Sequence, residues 1–63
     1  MKFTLPDMNC GHCRGAVEKT VARIDPEAET TVDLQSKTVE IRSDRSETEI
    51  ALALREAGYP PAA

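Results

Sequence analysis

The sequence predicts an α+β domain whose elements follow in the order strand, helix, strand, strand, helix, short strand. Apolar residues alternate with polar ones in three segments and recur at helical spacing in two others, and prolines, glycines or polar turns separate these segments. A βαββαβ order suits the ferredoxin-like arrangement, an open-faced sandwich with a four-stranded antiparallel sheet and both helices on one face. At 63 residues, we expect one domain over residues 1–63.

The first half of the chain reads as a strand followed by an amphipathic helix. Phe3 and Leu5 share one face of a strand over Lys2–Leu5, which Pro6 ends. From Cys13 to about Ile24 the apolar side recurs every three to four residues, as a helix packed on one face requires. That side consists of Ala16, Val17, Thr20, Val21 and Ile24. The helix is expected to stop at Asp25-Pro26.

The second half reads as a hairpin, a helix and a tail. Alternation over residues 28–34 and 38–42, joined by the polar turn 35–37, predicts two strands with one buried face. Ser46 and Glu49 have the spacing of a capping box, so we expect a helix over Glu47–Ala57 that is capped by Gly58. Two prolines in the tail 59–63 restrict it to a brief edge strand.

Composition excludes several classes of function. Eight basic against eleven acidic residues give a net charge of −3, which provides no basic field for a nucleic acid. One Phe, one Tyr and no Trp disfavour a deep apolar cleft, and with it an enzyme. The chain shows no signal peptide and no membrane span, so we expect a cytoplasmic protein that does not insert into membranes.

Residues 8–13 hold both cysteines and the only histidine of the chain. Two thiols separated by two residues can bind a soft metal, cycle between dithiol and disulfide, or remain reduced and inert. In a reducing compartment, metal binding or redox activity is commoner than a structural disulfide. We expect Cys10 in the strand-to-helix loop and Cys13 in the first helical turn, where the helix dipole favours the thiolate and lowers the thiol pKa.

A Met-X-Cys-X-X-Cys pattern at 8–13 occurs together with Val17 and Val21 on the helix, Val32-Asp33-Leu34 in the hairpin, and Glu56-Ala57-Gly58-Tyr59 near the end. This combination resembles the heavy-metal-associated domain family, and the resemblance covers nearly the whole chain. The pattern most resembles the small bacterial copper chaperones and the N-terminal domains of copper-transporting P-type ATPases.

The resemblance implies that Cys10 and Cys13 are the Cu(I) ligands. Soft thiolates favour this ion, and two of them complete a near-linear site. The same pattern implies that Met8 packs inward as an anchor of the loop, the alternative being a third sulfur ligand. His12 is either a modulator of the thiolates, an extra ligand when copper bridges two chains, or an exposed spacer. Tyr59 either lies beside the sulfurs or is an ordinary half-buried aromatic residue.

The function implied is that of a non-enzymatic cytoplasmic Cu(I) metallochaperone. It would deliver copper by thiolate exchange to the soluble domain of a copper-transporting P-type ATPase, and a copper-bridged homodimer is a further expectation. Related alternatives are a metal-binding domain of such an ATPase and a protein that handles Zn(II) or Cd(II). The alternative from another class is a thiol-disulfide oxidoreductase that uses Cys10-Gly11-His12-Cys13, although only nine residues precede Cys10 and a thioredoxin-like fold needs more.

Overall fold

A computed structural model describes residues 1–8 and 11–62 of the chain. In this part, two helices and three strands follow one another in the predicted order. The elements are β1 (Lys2–Thr4), α1 (Gly11–Ile24), β2 (Glu29–Asp33), β3 (Thr38–Arg42) and α2 (Glu47–Glu56).

The three strands form one antiparallel sheet in the order β1-β3-β2. Val39 in the central strand pairs with Phe3 on one side and with Val32 on the other, so these apolar side chains share one face. Ile41, two residues further along β3, is on the same face and is completely buried. The opposite face carries the exposed side chains Lys2, Thr4, Glu29, Thr31, Asp33, Glu40 and Arg42 and the half-buried Thr38.

Both helices pack on the apolar face, as predicted. Val17 and Val21 of α1 and Ile50 and Leu54 of α2 are at most 1% exposed, and the two helices also contact each other. The full core cluster is Phe3, Leu5, Met8, Cys13, Val17, Val21, Val39, Ile41, Ile50 and Leu54. Fully burying one such large side chain stabilises the fold by about 1.5–3 kcal/mol, so this small cluster supplies most of the driving force.

The predicted four-stranded sheet is not observed, because the described part of the chain contains three strands. The tail does reach the outer edge of β1, where the Ala62 N–H donates to the Thr4 carbonyl at 2.8 Å. Pro60 and Pro61 precede this contact and have no N–H to donate. The tail therefore lies at the position of a fourth strand without completing its hydrogen bonds.

The ends of α2 follow the predicted chemistry. The Ser46 hydroxyl oxygen accepts from the Glu49 N–H at 3.1 Å, which caps the N-terminus. At the C-terminus, Gly58 has a φ of 97°, its N–H donates to the Arg55 carbonyl, and the Tyr59 N–H donates to the Leu54 carbonyl. These two bonds form a Schellman motif, so the helix ends where the glycine allows it.

Two side-chain contacts hold the connecting loops. Asp33 accepts from the N–H groups of Gln35 and Ser36 and fixes the β2–β3 turn, in which Lys37 has a left-handed φ of 58°. At the opposite end of the sheet, the Ser43 hydroxyl donates to the Asp25 carboxylate at 2.7 Å. This bond joins the loop after α1 to the loop after β3.

Candidate metal centre

Two backbone hydrogen bonds fix the segment that follows β1. The Leu5 N–H donates to the Lys37 carbonyl at 2.8 Å, and the Leu5 carbonyl accepts from the Met8 N–H at 3.0 Å. The β2–β3 turn thus supports the residues that lead into the cysteine motif. Sequence reasoning found the turn but missed this contact, because no local pattern in the sequence pairs Lys37 with Leu5.

Met8 lies inside the core, with none of its surface exposed. It belongs to the same cluster as Leu5 and Cys13, so its flexible thioether side chain fills space beneath the motif. This is the position expected of a side chain that anchors the loop. Its assignment as an anchor of the metal site stays a prediction.

Cys13 is the third residue of α1 and lies in its first turn, as expected. Its side chain is 8% exposed and contacts the core cluster, so it is at the boundary between core and surface. The first turn of α1 contains no acidic residue. The partial positive charge of this helix N-terminus is therefore not offset by a carboxylate within that turn and is available to an anion such as a thiolate.

Of the other predicted site residues, the structure describes His12 and Tyr59 but not Cys10. Cys10 lies outside the described residues, and its assignment as a copper ligand stays a prediction. His12 is the second residue of α1 and is exposed. Tyr59 is half-buried against the core, two residues after the C-cap Ala57 of α2. Ala62 is three residues beyond Tyr59 and bonds to Thr4, so at most about 10 Å of extended chain separates Tyr59 from the residue that contacts the end of β1.

Neither Met8 nor Cys13 lines any of three grooves formed by the described residues. The groove at the opposite end, near Met1, Asp25 and Asp44, has a volume of about 450 Å³. A two-thiolate site at a loop needs no cavity, since its ligands can converge at the surface. Within residues 1–8 and 11–62, no group of three or more His, Cys, Asp or Glu side chains is placed to hold a metal ion.

A comparison with known domain families gives a match over most of the chain. The model of the heavy-metal-associated (HMA) domain matches residues 2–60. The chain belongs to the heavy-metal-associated domain family. A comparison with curated protein sequences gives no significant match.

Solved structures give this HMA domain close neighbours. The copper chaperone Atx1 from Synechocystis, in a copper-containing trimeric form, superposes with a TM-score of 0.95 at 37% identity, covering 98% of each chain. A gold-binding protein has a TM-score of 0.95 at 38% identity, covering 97% of this chain and 94% of its own. A structure from work on crosstalk between Cu(I) and Zn(II) homeostasis has a TM-score of 0.94 at 37% identity, covering 98% of each chain.

The two helices of the HMA domain contain 14 and 10 residues. Neither is long and apolar enough to cross a membrane.

Proposed function

We propose that this HMA domain is a cytoplasmic Cu(I) metallochaperone that binds copper through the thiolates of Cys10 and Cys13. The observation that carries the proposal is the position of Cys13 in a first helical turn without acidic residues, directly against the core that contains Met8. Two soft sulfur ligands at such a helix end favour a monovalent soft ion. Copper is here the cargo of the protein, and no reaction is catalysed.

Transfer to a partner proceeds by ligand exchange. A thiolate of the partner forms a third bond to the two-coordinate Cu(I), and one sulfur–copper bond of this chain then breaks. A second thiolate of the partner repeats the exchange, so that copper keeps its +1 charge and no electron moves. The partner we propose is the soluble metal-binding domain of a copper-transporting P-type ATPase, and two copies of the chaperone bridged by one copper ion form by the same chemistry.

The copper chaperone among the structural neighbours supports copper over other metals. The neighbour from work on Cu(I) and Zn(II) homeostasis favours a second candidate, a protein that handles Zn(II) or Cd(II). Zinc prefers four tetrahedral ligands, so two thiolates would need two more donors. A metal-binding domain within a P-type ATPase is the third related candidate, because it would use the same site.

A competition assay tests the metal site. Under reducing conditions, we expect the protein to remove one Cu(I) ion from a chromophoric probe that binds copper tightly, and we expect Cys10→Ser and Cys13→Ser to abolish this. Asp44 is exposed at the opposite end of the sheet, so Cys10→Ser/Asp44→Cys restores the number of thiols without restoring the pair. This matched control is expected to bind as weakly as Cys10→Ser.

The same assay separates the alternatives. Tighter binding of Zn(II) than of Cu(I), each measured against its own probe, would move the proposal to zinc. An insulin-reduction assay tests the oxidoreductase alternative, and robust turnover would overturn the chaperone assignment. Transfer is tested by mixing the copper-loaded protein with the apo metal-binding domain of a copper ATPase. We expect copper to redistribute between the two proteins within the mixing time, as seen in their amide NMR spectra.

A further inference from the structure

The two helices carry opposite net charges. α1 contains three basic residues and one acidic residue, whereas α2 contains three acidic residues and one basic residue. The charged residues of α1 are Arg14, Glu18, Lys19 and Arg23, and those of α2 are Glu47, Glu49, Arg55 and Glu56. All eight side chains are exposed. The helix layer therefore presents a basic stripe beside an acidic one.

Within residues 1–8 and 11–62, most of these charges lie in no ion pair. Across the described residues, the ion pair within 4.0 Å is Arg45–Glu49 at 3.9 Å, and both of its side chains are more than half exposed. No ion pair in this part of the chain joins α1 to α2. An exposed pair of this kind contributes little, so the Glu49 carboxylate remains available to a second partner.

Helical geometry places the centre of each stripe on the face that points away from the sheet. Ile50 and Leu54 are buried, so Leu52, two residues from each, lies on the opposite side of α2 and is 54% exposed. Glu49 and Glu56 are three residues before and four residues after Leu52, and therefore flank it on the same face.

The corresponding face of α1 is basic and lies next to a groove. Val17 and Val21 are buried, which directs Lys19 away from the sheet by the same geometry. Arg23, one turn later, also lines the groove between the helices, which has a volume of about 320 Å³. The remaining lining residues are Thr20, Ala53, Glu56 and Ala57.

We propose that a second copy of this chain docks on this face, with α1 of each copy against α2 of the other. A two-fold dimer formed face to face has its axis in the plane of the interface. An axis perpendicular to the helices would place α1 of one copy on α1 of the other, so that like charges would meet. An axis parallel to the helices places α1 of one copy on α2 of the other. Charge complementarity therefore selects the parallel axis, which also brings the N-termini of both α1 helices to the same end.

The flanks of the helices agree with this arrangement. Arg55 lines a groove between α2 and β1, on the side of α2 that faces away from α1. Glu18 lies near the outer flank of α1, one residue before Lys19 and away from the groove that Arg23 lines. The parallel axis turns these two outer flanks towards each other, so that Glu18 of one copy and Arg55 of the other are again opposite charges.

The size of the molecule limits the area of this contact, and therefore its strength. With extents of 26 × 21 × 17 Å, one flat face offers roughly 500 Å² per copy, which is near the lower limit of specific interfaces. The net charge of −3 opposes approach at long range, and the local ion pairs act only near contact. We therefore expect a weak dimer that dissociates as salt is added, and that forms without copper.

Sedimentation equilibrium of the metal-free, reduced protein tests the proposal. At about 50 mM salt and protein concentrations from roughly 20 μM to 1 mM, we expect the mean mass to rise from 6.9 kDa towards twice that value, and to return at about 500 mM salt. The same behaviour is expected of Cys10→Ser, so failure of this test and failure of copper binding are distinguishable.

A charge swap identifies the face. Glu49→Lys/Glu56→Lys makes both helices basic and Lys19→Glu/Arg23→Glu makes both acidic, so each variant alone is expected to be monomeric. An equimolar mixture of the two is expected to form the mixed dimer. This recovery is not expected of unfolded variants. The matched control Glu29→Lys/Glu40→Lys makes the same charge change on the open face of the sheet and is expected to leave the dimer intact.

Three outcomes would overturn the proposal. They are a monomeric protein at 1 mM in low salt, variants that dimerise as well as the native chain, and a mixture of the two charge variants that stays monomeric while both variants show native circular dichroism. A dimer that appears only when Cu(I) is added would indicate the copper-bridged form instead.

Discussion

The partial positive charge at the helix N-terminus has a different role in α1 than in α2. α2 has a serine cap, and two glutamates, Glu47 and Glu49, lie in its first turn. α1 has no acidic residue in its first turn and carries Cys13 there instead. A carboxylate near a helix N-terminus stabilises the fold by about 0.3–1 kcal/mol. The chain uses this stabilisation at α2 and leaves the equivalent positive charge at α1 available to a thiolate and its metal.

The start of α1 is held instead by the core beneath it, and Met8→Ala is expected to give the largest effect. Met8 is completely buried, so its truncation leaves a cavity and is expected to lower the free energy of unfolding by about 2–5 kcal/mol. Urea denaturation of the metal-free protein measures this. Leu52→Ala, at a side chain that is 54% exposed, is the control and should cost less than about 0.5 kcal/mol. Equal costs would mean that Met8 does not anchor the loop.

Removing the cap of α2 is expected to have an intermediate effect. Ser46→Ala deletes the oxygen that accepts from the Glu49 N–H and should lower the free energy of unfolding by about 1 kcal/mol. Because the cap belongs to the other helix, the Cu(I) affinity of the folded protein should not change. Denaturant unfolding and copper competition on the same variant check both halves, and a loss of copper affinity would show that the two helix ends are coupled.

A carboxylate placed in the first turn of α1 would make the charge at its N-terminus resemble that of α2. His12→Glu is expected to raise the free energy of unfolding by about 0.3–1 kcal/mol, because the new charge interacts favourably with the helix N-terminus. The same charge should disfavour a neighbouring thiolate, so we expect slower alkylation of the cysteines and several-fold weaker Cu(I) binding. His12→Gln removes the imidazole without adding charge and is the matched control. If both variants bind copper equally, the field at this helix end does not tune the site.

The smallest effect is expected at the C-terminal end of α1, where Asp25 follows the helix. The Ser43 hydroxyl, followed by the Glu27 N–H, holds the pKa of the Asp25 carboxyl below its ordinary value of 3.8. A carboxyl with a lowered pKa in the folded state stabilises the protein above its unfolded pKa, and this contribution is lost as pH falls through the folded value. Ser43→Ala should therefore destabilise the protein near pH 7 and have a smaller effect near pH 2, as urea unfolding at both pH values would show. In an Asp25→Asn background, the pH dependence of the Ser43→Ala effect should disappear.

The elements with local signals were predicted well from the sequence. Ser46 and Glu49 predicted the start of α2, and Gly58 predicted its end. Each of these signals acts within one or two helical turns of the chain. For the same reason the placement of Cys13 in the first turn of α1 followed from the position of the helix.

Features that depend on tertiary contacts were not predicted. α1 begins at Gly11 rather than at the expected Cys13, although glycine is a poor helix former. The bonds from Leu5 to Lys37 and from Ser43 to Asp25 join residues that are distant in sequence and have no periodic signal. The fourth strand was expected from the βαββαβ order. Tail residues Pro60 and Pro61 instead leave a single bond to Thr4 in the described part of the chain.

The position of the tail at the edge of β1 affects the tendency of the protein to aggregate at high concentration. The outer edge of β1 is the kind of strand edge on which another molecule can add its own strand, and repeated addition leads to aggregation. The tail occupies this edge through Ala62, and the two prolines before it cannot extend the ladder to a neighbouring chain. A segment that covers a strand edge without forming a strand thus blocks growth of the sheet in that direction.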